Sequence, residues 1–274
     1  MHYRRLVLLF IAAVVSLRLQ AECDKGSVKV PADESLTVAA YVEAGAPAAD
    51  REWSSHDYAK FVEVLQGTVE KDAHQLPRFD SEKSGALMRR LVSETNFRVF
   101  QDTNLPMSTR LPEAAAFAQN LALLTGIYLQ ASNQGEPFDR ELVELMGFIA
   151  RVNDEIWTLA DEFLASLPEE ERGAKSGAID TMRGGTAQVV IGAIQSFSEA
   201  TTYRPAELRR FATLLAPSLP KLLPRLSAES SKEALIALRK MSSENCDDEV
   251  RALLGKLLES ATGSVASAAE TKQP

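Results

Sequence analysis

The sequence predicts an all-α protein. The expected architecture is a single helical domain of about eight to ten helices, a bundle or an irregular array of α-hairpins. Three observations carry this. Apolar residues recur at spacings of three and four along most of residues 53–260, the period of a helix with one buried face. One short alternating stretch occurs, at residues 36–42, and no second strand candidate exists to pair with it. Prolines and short acidic or hydroxyl residues stand where the apolar periodicity restarts, as helix starts require. The expected division is 1–21 signal peptide, 22–52 flexible arm, 53–260 helical domain and 261–274 disordered tail.

Each element follows from local chemistry. Ser54 and Ser55 cap a helix whose stripe is Tyr58, Phe61, Val62, Leu65 and Val69. Asp80 or Ser81 is the expected start of the next, with Leu87, Met88 and Leu91 inward. Ser93 begins a short helix carrying Phe97 and Phe100. Pro112 is placed in the first turn of an Ala- and Leu-rich helix, where its missing N–H costs nothing. From Pro137, one stripe runs through Phe138, Leu142, Leu145, Ile149, Val152, Ile156, Leu159 and Phe163. Glu144 is placed on the opposite, solvated face with Arg140, Arg151, Asp154, Glu155, Asp161 and Glu162. Pro168 and the acids Glu169–Glu171 open a helix that Gly184-Gly185 interrupts. Prolines 205, 217, 220 and 224 then cut the chain into short helices. Residues 232–241 and 247–258 are the last two.

The first residues resemble an export signal in physical terms. A basic start (Arg4, Arg5), about a dozen apolar residues at 6–17 and the small Ala21 fit a cleaved secretory signal. The apolar run falls short of the roughly 20 residues that span a bilayer. The alternative is an uncleaved N-terminal anchor, which the late Arg18 would suit. Removing residues 1–21 takes three arginines and no acid, leaving 27 basic and 38 acidic residues, a net charge of −11. No basic footprint for nucleic acid is present. The two cysteines, Cys23 and Cys246, are expected to pair in an oxidising compartment. Closing a loop that long would stabilise by about 4–5 kcal/mol in the chain-entropy model.

Chemistry is marked chiefly by what is missing. The four Cys and His residues beyond the signal, at positions 23, 56, 74 and 246, lack the spacing of a zinc site. No metal and no cofactor is expected. Ser218-x-x-Lys221 stands between prolines without a Lys-Thr-Gly partner, and no Gly-x-Ser-x-Gly occurs. His56-Asp57 reads as first-turn chemistry rather than an acid/base pair. The most unusual segment is 181–188. There, Arg183 beside Gly184 and Gly185 offers either an anion contact or, as the favoured reading, a close approach for a neighbouring helix. Asn153, on the edge of the long apolar stripe, is the other candidate ligand contact, since a buried amide must find partners.

The functional expectation is an exported, non-enzymatic helical protein of a bacterial-type envelope or the extracellular space, binding another protein through a helical surface. The Leu-rich segments after residue 219 have an α-hairpin rhythm that suits such a surface. The alternative is a carrier for a small apolar or amphiphilic ligand held between helices, with Arg183, Gly184, Gly185 and Asn153 as contacts. An enzyme with an unrecognised site is the second alternative.

Overall fold

The structure is a computed structural model. It describes Val38, Ala40, Tyr41, Pro47, Ala48 and residues 51–271, except for 134, 136, 200–203 and 246. The expected signal at 1–21, Cys23 and Cys246 lie outside the described residues. Among the described residues there are ten α-helices from Ser55 onward, short 3-10 turns and no strand. The all-α expectation therefore holds. The chain divides into two compact units, Met1–Leu142 and Val143–Pro274.

The first unit is built on α1 (Ser55–Val69) and α4 (Met107–Asn133), which pack along one another. Ser54 caps α1 through a capping box, its hydroxyl accepting from Asp57 N while Asp57 accepts from Ser54 N. α4 completes that helix start. Glu113 accepts from both the backbone N–H and the hydroxyl of Ser55, each at 2.7 Å, and Asn120 donates to Ser55 O at 2.8 Å. The stripe Tyr58, Phe61, Val62, Leu65 and Val69 is buried, as its spacing requires. Between the long helices lie α2 (Gly85–Leu91) and α3 (Arg98–Gln101). Phe97, Phe100 and Phe117 meet in this core, with Tyr58 4.3 Å from Phe117 between ring centroids.

Two expectations in this unit are corrected. α2 starts at Gly85, not at residues 80–81, because residues 80–84 form turns whose last bond runs from Gly85 N to Ser81 O. A Cβ on Gly85 would stand 2.6 Å from Phe79 O, so only glycine fits. α4 starts at Met107, so Pro112 lies inside it rather than in its first turn. The proline has no N–H for Ser108 O, and Ser108 is exposed, where water can take that bond.

Of the expected arm at 22–52, Tyr41, Pro47 and Ala48 make tertiary contacts, as does Trp53 just after it. Tyr41 is buried with its ring 5.5 Å from Phe61. Trp53 is 1% exposed and meets Tyr58 and Phe61 edge-on. Arg90 donates to Pro47 O and Ala48 O at 2.5 Å. Aromatic burial outweighs the weak local propensity that suggested an arm.

α5 (Asp139–Ser166) begins in the first unit and continues into the second. Gly135, at φ 104°, supplies the turn before it. The second unit holds the rest of α5, α6 (Glu169–Glu199), α7 (Pro205–Leu215), α8 (Leu219–Leu222), α9 (Ala228–Glu244) and α10 (Asp248–Thr271). α9 packs on α6 and α10, and α10 also meets α7 and α8. Asp247 caps α10 through Val250 N at 2.9 Å.

Two further corrections fall in this unit. α6 is one uninterrupted helix through Gly184-Gly185. α10 runs to Thr271, so residues 261–271 are helical and not a tail. Ala261, fully buried, is the last buried residue of α10 among the described residues.

Candidate functional site

The residues singled out in the sequence do not assemble into one site. Gly184 is exposed and Gly185 half-buried, and a Cβ on either would meet nothing within 4 Å. Among the described residues no helix makes a close approach there, so the packing expected of these two glycines is not seen. The side chain of Arg183 lies outside the described set. Asn153 is 3% exposed on α5, so it is buried as expected. Its amide has no hydrogen-bond partner among the described residues. His56 is exposed, and its neighbour Asp57 is committed elsewhere. Asp57 accepts from Ser54 and from Arg51 at 2.8 Å. Burial opposes its charge, but the Ser54 bonds and the Arg51 guanidinium prevail and hold its carboxyl below the usual range.

The close helix approach occurs instead at Gly147, which the sequence reading passed over. A Cβ there would stand 2.5 Å from Leu214 Cβ. One turn earlier on α5, Glu144 is buried, contrary to its expected solvated position. Arg210 of α7 covers it, and that bond, with Glu144's charge, raises the guanidinium's own pKa. Further along α5, Asp154 takes Lys221 at 3.1 Å and Arg225 at 3.8 Å.

The first unit holds a second buried acid. Glu141, in the first turn of α5, is 3% exposed and accepts from Phe79 N at 2.9 Å. Burial pushes its carboxyl above the ordinary value, with Asp80 adding to the rise and Arg78 opposing it. The Tyr128 hydroxyl, buried nearby, donates to Pro77 O at 2.7 Å. Arg78 lies over the Phe138 ring, 4.1 Å from its centroid, and donates to Pro137 O. A third polar group is centred on Asn96. It accepts from Trp53 N at 2.9 Å and donates to Tyr58 Oη at 3.1 Å and Arg90 O at 3.0 Å, while Tyr58 donates to Leu91 O. These groups bind backbone and each other, which holds their segments in position.

The surface candidate is the outer side of α9. Its inner side buries Ser231, Ala234, Ala237, Leu238 and Met241. On the outer side Ile236 is 53% exposed, the one large apolar side chain so exposed among the described residues. Lys232 and Lys240, one turn to either side, and Glu233 and Arg239 surround it, all exposed. No described helix is long and apolar enough to cross a membrane, and no group of three or more described His, Cys, Asp or Glu residues could hold a metal ion. The chain matches no protein-family model, no curated protein and no solved structure.

Proposed function

We propose that the chain is an exported helical binding protein that contacts a protein partner through the outer face of α9. The observation that carries this reading is Ile236, an exposed anchor with a charged rim on a helix whose other face is fixed by packing. An apolar side chain on a rigid helix, ringed by lysine, arginine and glutamate, is the chemistry of a small helix-mediated contact. Export rests on residues 1–21, whose basic start and apolar run suit a signal removed after Ala21. The periplasm or the extracellular space is the corresponding destination.

The test is affinity isolation from the producing organism. Wild-type chain and Ile236→Asp are compared, both checked for native helix content by circular dichroism. A partner recovered with the wild type and lost with Ile236→Asp supports the reading. Identical recoveries, or none from either, count against it.

A second reading has its own observation. Asn153 is a largely buried residue whose amide makes no bond to another described residue and is still reached by solvent, so it is free to take a bond from a ligand. A small amphiphilic ligand between helices would supply that bond, and the protein would then be a carrier. Native mass spectrometry separates the two, because a carrier holds added mass that leaves on gentle activation and that Asn153→Leu abolishes.

A further inference from the structure

α9 is held from within by Ser231, Ala234, Ala237, Leu238 and Met241, which leaves Ile236 outward. On a helix, the residues three and four away on either side form the ring around an outward side chain. Around Ile236 that ring is Lys232, Glu233, Arg239 and Lys240, all exposed. Three bases against one acid give the ring a charge of +2, on a chain whose formal net charge is −8. None of the four side chains makes an ion pair with another described residue. Bases elsewhere in the same unit do. Arg209 pairs with Glu249, Arg210 with Glu144, Lys221 with Asp154 and Arg251 with Asp248. The described residues therefore leave the charge around Ile236 uncompensated.

We propose that the occupant of this face is an acidic amphipathic helix of another protein, its carboxylates facing Lys232, Arg239 and Lys240 and an apolar side chain covering Ile236. This rests on the reading of α9 as the contact face and adds the chemistry of the partner. At about 100° per residue, Lys232 and Arg239 fall on one flank of Ile236, and Glu233 and Lys240 on the other. Lys232 and Arg239 are seven residues apart, two turns or about 10 Å along the axis. Two acids seven apart on a facing helix match that spacing, as flanking charges do across paired helices. The lysine and arginine stems extend the apolar contact beside Ile236 while their heads stay in water. Covering Ile236 supplies burial, and the ring supplies the choice of partner and the rate of encounter.

A second copy of this chain is the wrong occupant. Two α9 helices joined antiparallel at Ile236 about a twofold axis face like flank with like flank. Lys232 of each copy then stands opposite Arg239 of the other, while Glu233 meets Lys240. Joined in parallel, Arg239 stands opposite Lys240 instead, while Lys232 meets Glu233. Either way like-charge contacts equal opposite ones in number, so self-pairing gains nothing from the ring, and two rings of +2 still meet. An acidic helix turns all three bases into attractions.

The test places a light-activated residue at Ser243, exposed on α9 two turns past Ile236, so that Ile236 and its ring stay intact. The full chain is crosslinked in the producing cells, and the crosslinked segment is identified by mass spectrometry. The expected segment belongs to another protein, carries net negative charge and is lost with Ile236→Asp. Lys232→Glu combined with Arg239→Glu lowers the yield per chain about tenfold, and Glu233→Lys raises it. All are surface positions, and circular dichroism checks that each variant keeps its native helix content. A yield that Ile236→Asp abolishes but the double reversal leaves unchanged overturns this inference and keeps α9 as the contact face. So does a neutral or basic partner segment. A crosslink confined to lipid or to this chain's own peptides overturns the acidic helix as well. No crosslink from the unaltered ring, or one indifferent to Ile236→Asp, overturns both this inference and the reading it rests on.

Discussion

Arg210 grips Glu144 with two nitrogens, Nε 2.6 Å from one carboxylate oxygen and Nη2 3.0 Å from the other. The pair joins α5 to α7 across 66 residues of sequence. Its outer half stands in water, the Arg210 side chain being 52% exposed while that of Glu144 is 10% exposed. Arg210→Ala leaves a largely buried carboxylate with only whatever water can enter. The expected cost is about 1–2 kcal/mol, the lower part of the range for a stranded polar group because solvent reaches the site. Arg210→Lys restores part of it, since one ammonium cannot make the forked contact. Urea unfolding midpoints measure both, and an unchanged midpoint for Arg210→Ala would show that the pair contributes nothing.

Glycines on α5 and α6 are predicted to respond in opposite directions. Gly147→Ala puts a methyl group into Leu214 and is expected to lower stability by about 1–3 kcal/mol through overpacking. Gly147→Ala combined with Leu214→Ala recovers part of that loss. Gly184→Ala and Gly185→Ala add a methyl group where nothing stands within 4 Å, inside a continuous helix. Each is expected to stabilise by about 0.5–1 kcal/mol. Thermal melts of the four variants check this, and a destabilised Gly184→Ala would restore close packing at that glycine pair.

These same residues mark what can be read from sequence. The long stripe from Phe138 to Leu159 is legible because a period of 3.6 records one buried face, and those residues are buried. The burial of Glu144 is not legible. It depends on a second face of α5 being covered, and its partner on α7 follows no periodic rule. Gly147 carries no local signal either, since a glycine inside a helix looks the same whether or not another helix touches it. Gly184-Gly185 misled for the converse reason: adjacent glycines weaken a helix but do not have to end it. Tyr41 and Trp53 sit in weakly patterned sequence and are held by tertiary aromatic contacts. The Asn96 cluster was missed as well, and a polar residue beside the Phe97 and Phe100 pair was its one available cue.

Asn96 is expected to be expensive to replace. Asn96→Ala removes the acceptor for Trp53 N and a donor to Tyr58 Oη and Arg90 O together. The predicted loss is roughly 2–4 kcal/mol, more than one stranded group because several lose their bonds at once. Emission in a Trp157→Phe background, where Trp53 is the sole tryptophan, reads the local effect, with a red shift expected at temperatures where the helix signal is still native. An emission maximum unchanged from that of Trp157→Phe alone would mean that the cluster does not hold Trp53 in place.

Asp57 should give the protein an acid-sensitive edge. Its folded carboxyl lies below the ordinary 3.8, so its contribution is present above that value and is lost as pH falls through the lower folded one. Asp57→Asn removes this part of the stability profile and weakens the capping box. The difference between wild type and variant is therefore largest near neutral pH and shrinks on acidification below about pH 4. A difference that stays constant from pH 7 to pH 2 would mean that Asp57 acts through packing alone.

The most direct test of the binding account is photo-crosslinking in the producing cells from a light-activated residue at position 236, compared with the same residue at Lys71, exposed after α1. The account predicts a discrete crosslinked species from position 236, absent from position 71, and found in the exported fraction on a chain that begins at Glu22. Equal crosslinking from the two positions, or a crosslinked species confined to the cytoplasm, would contradict it.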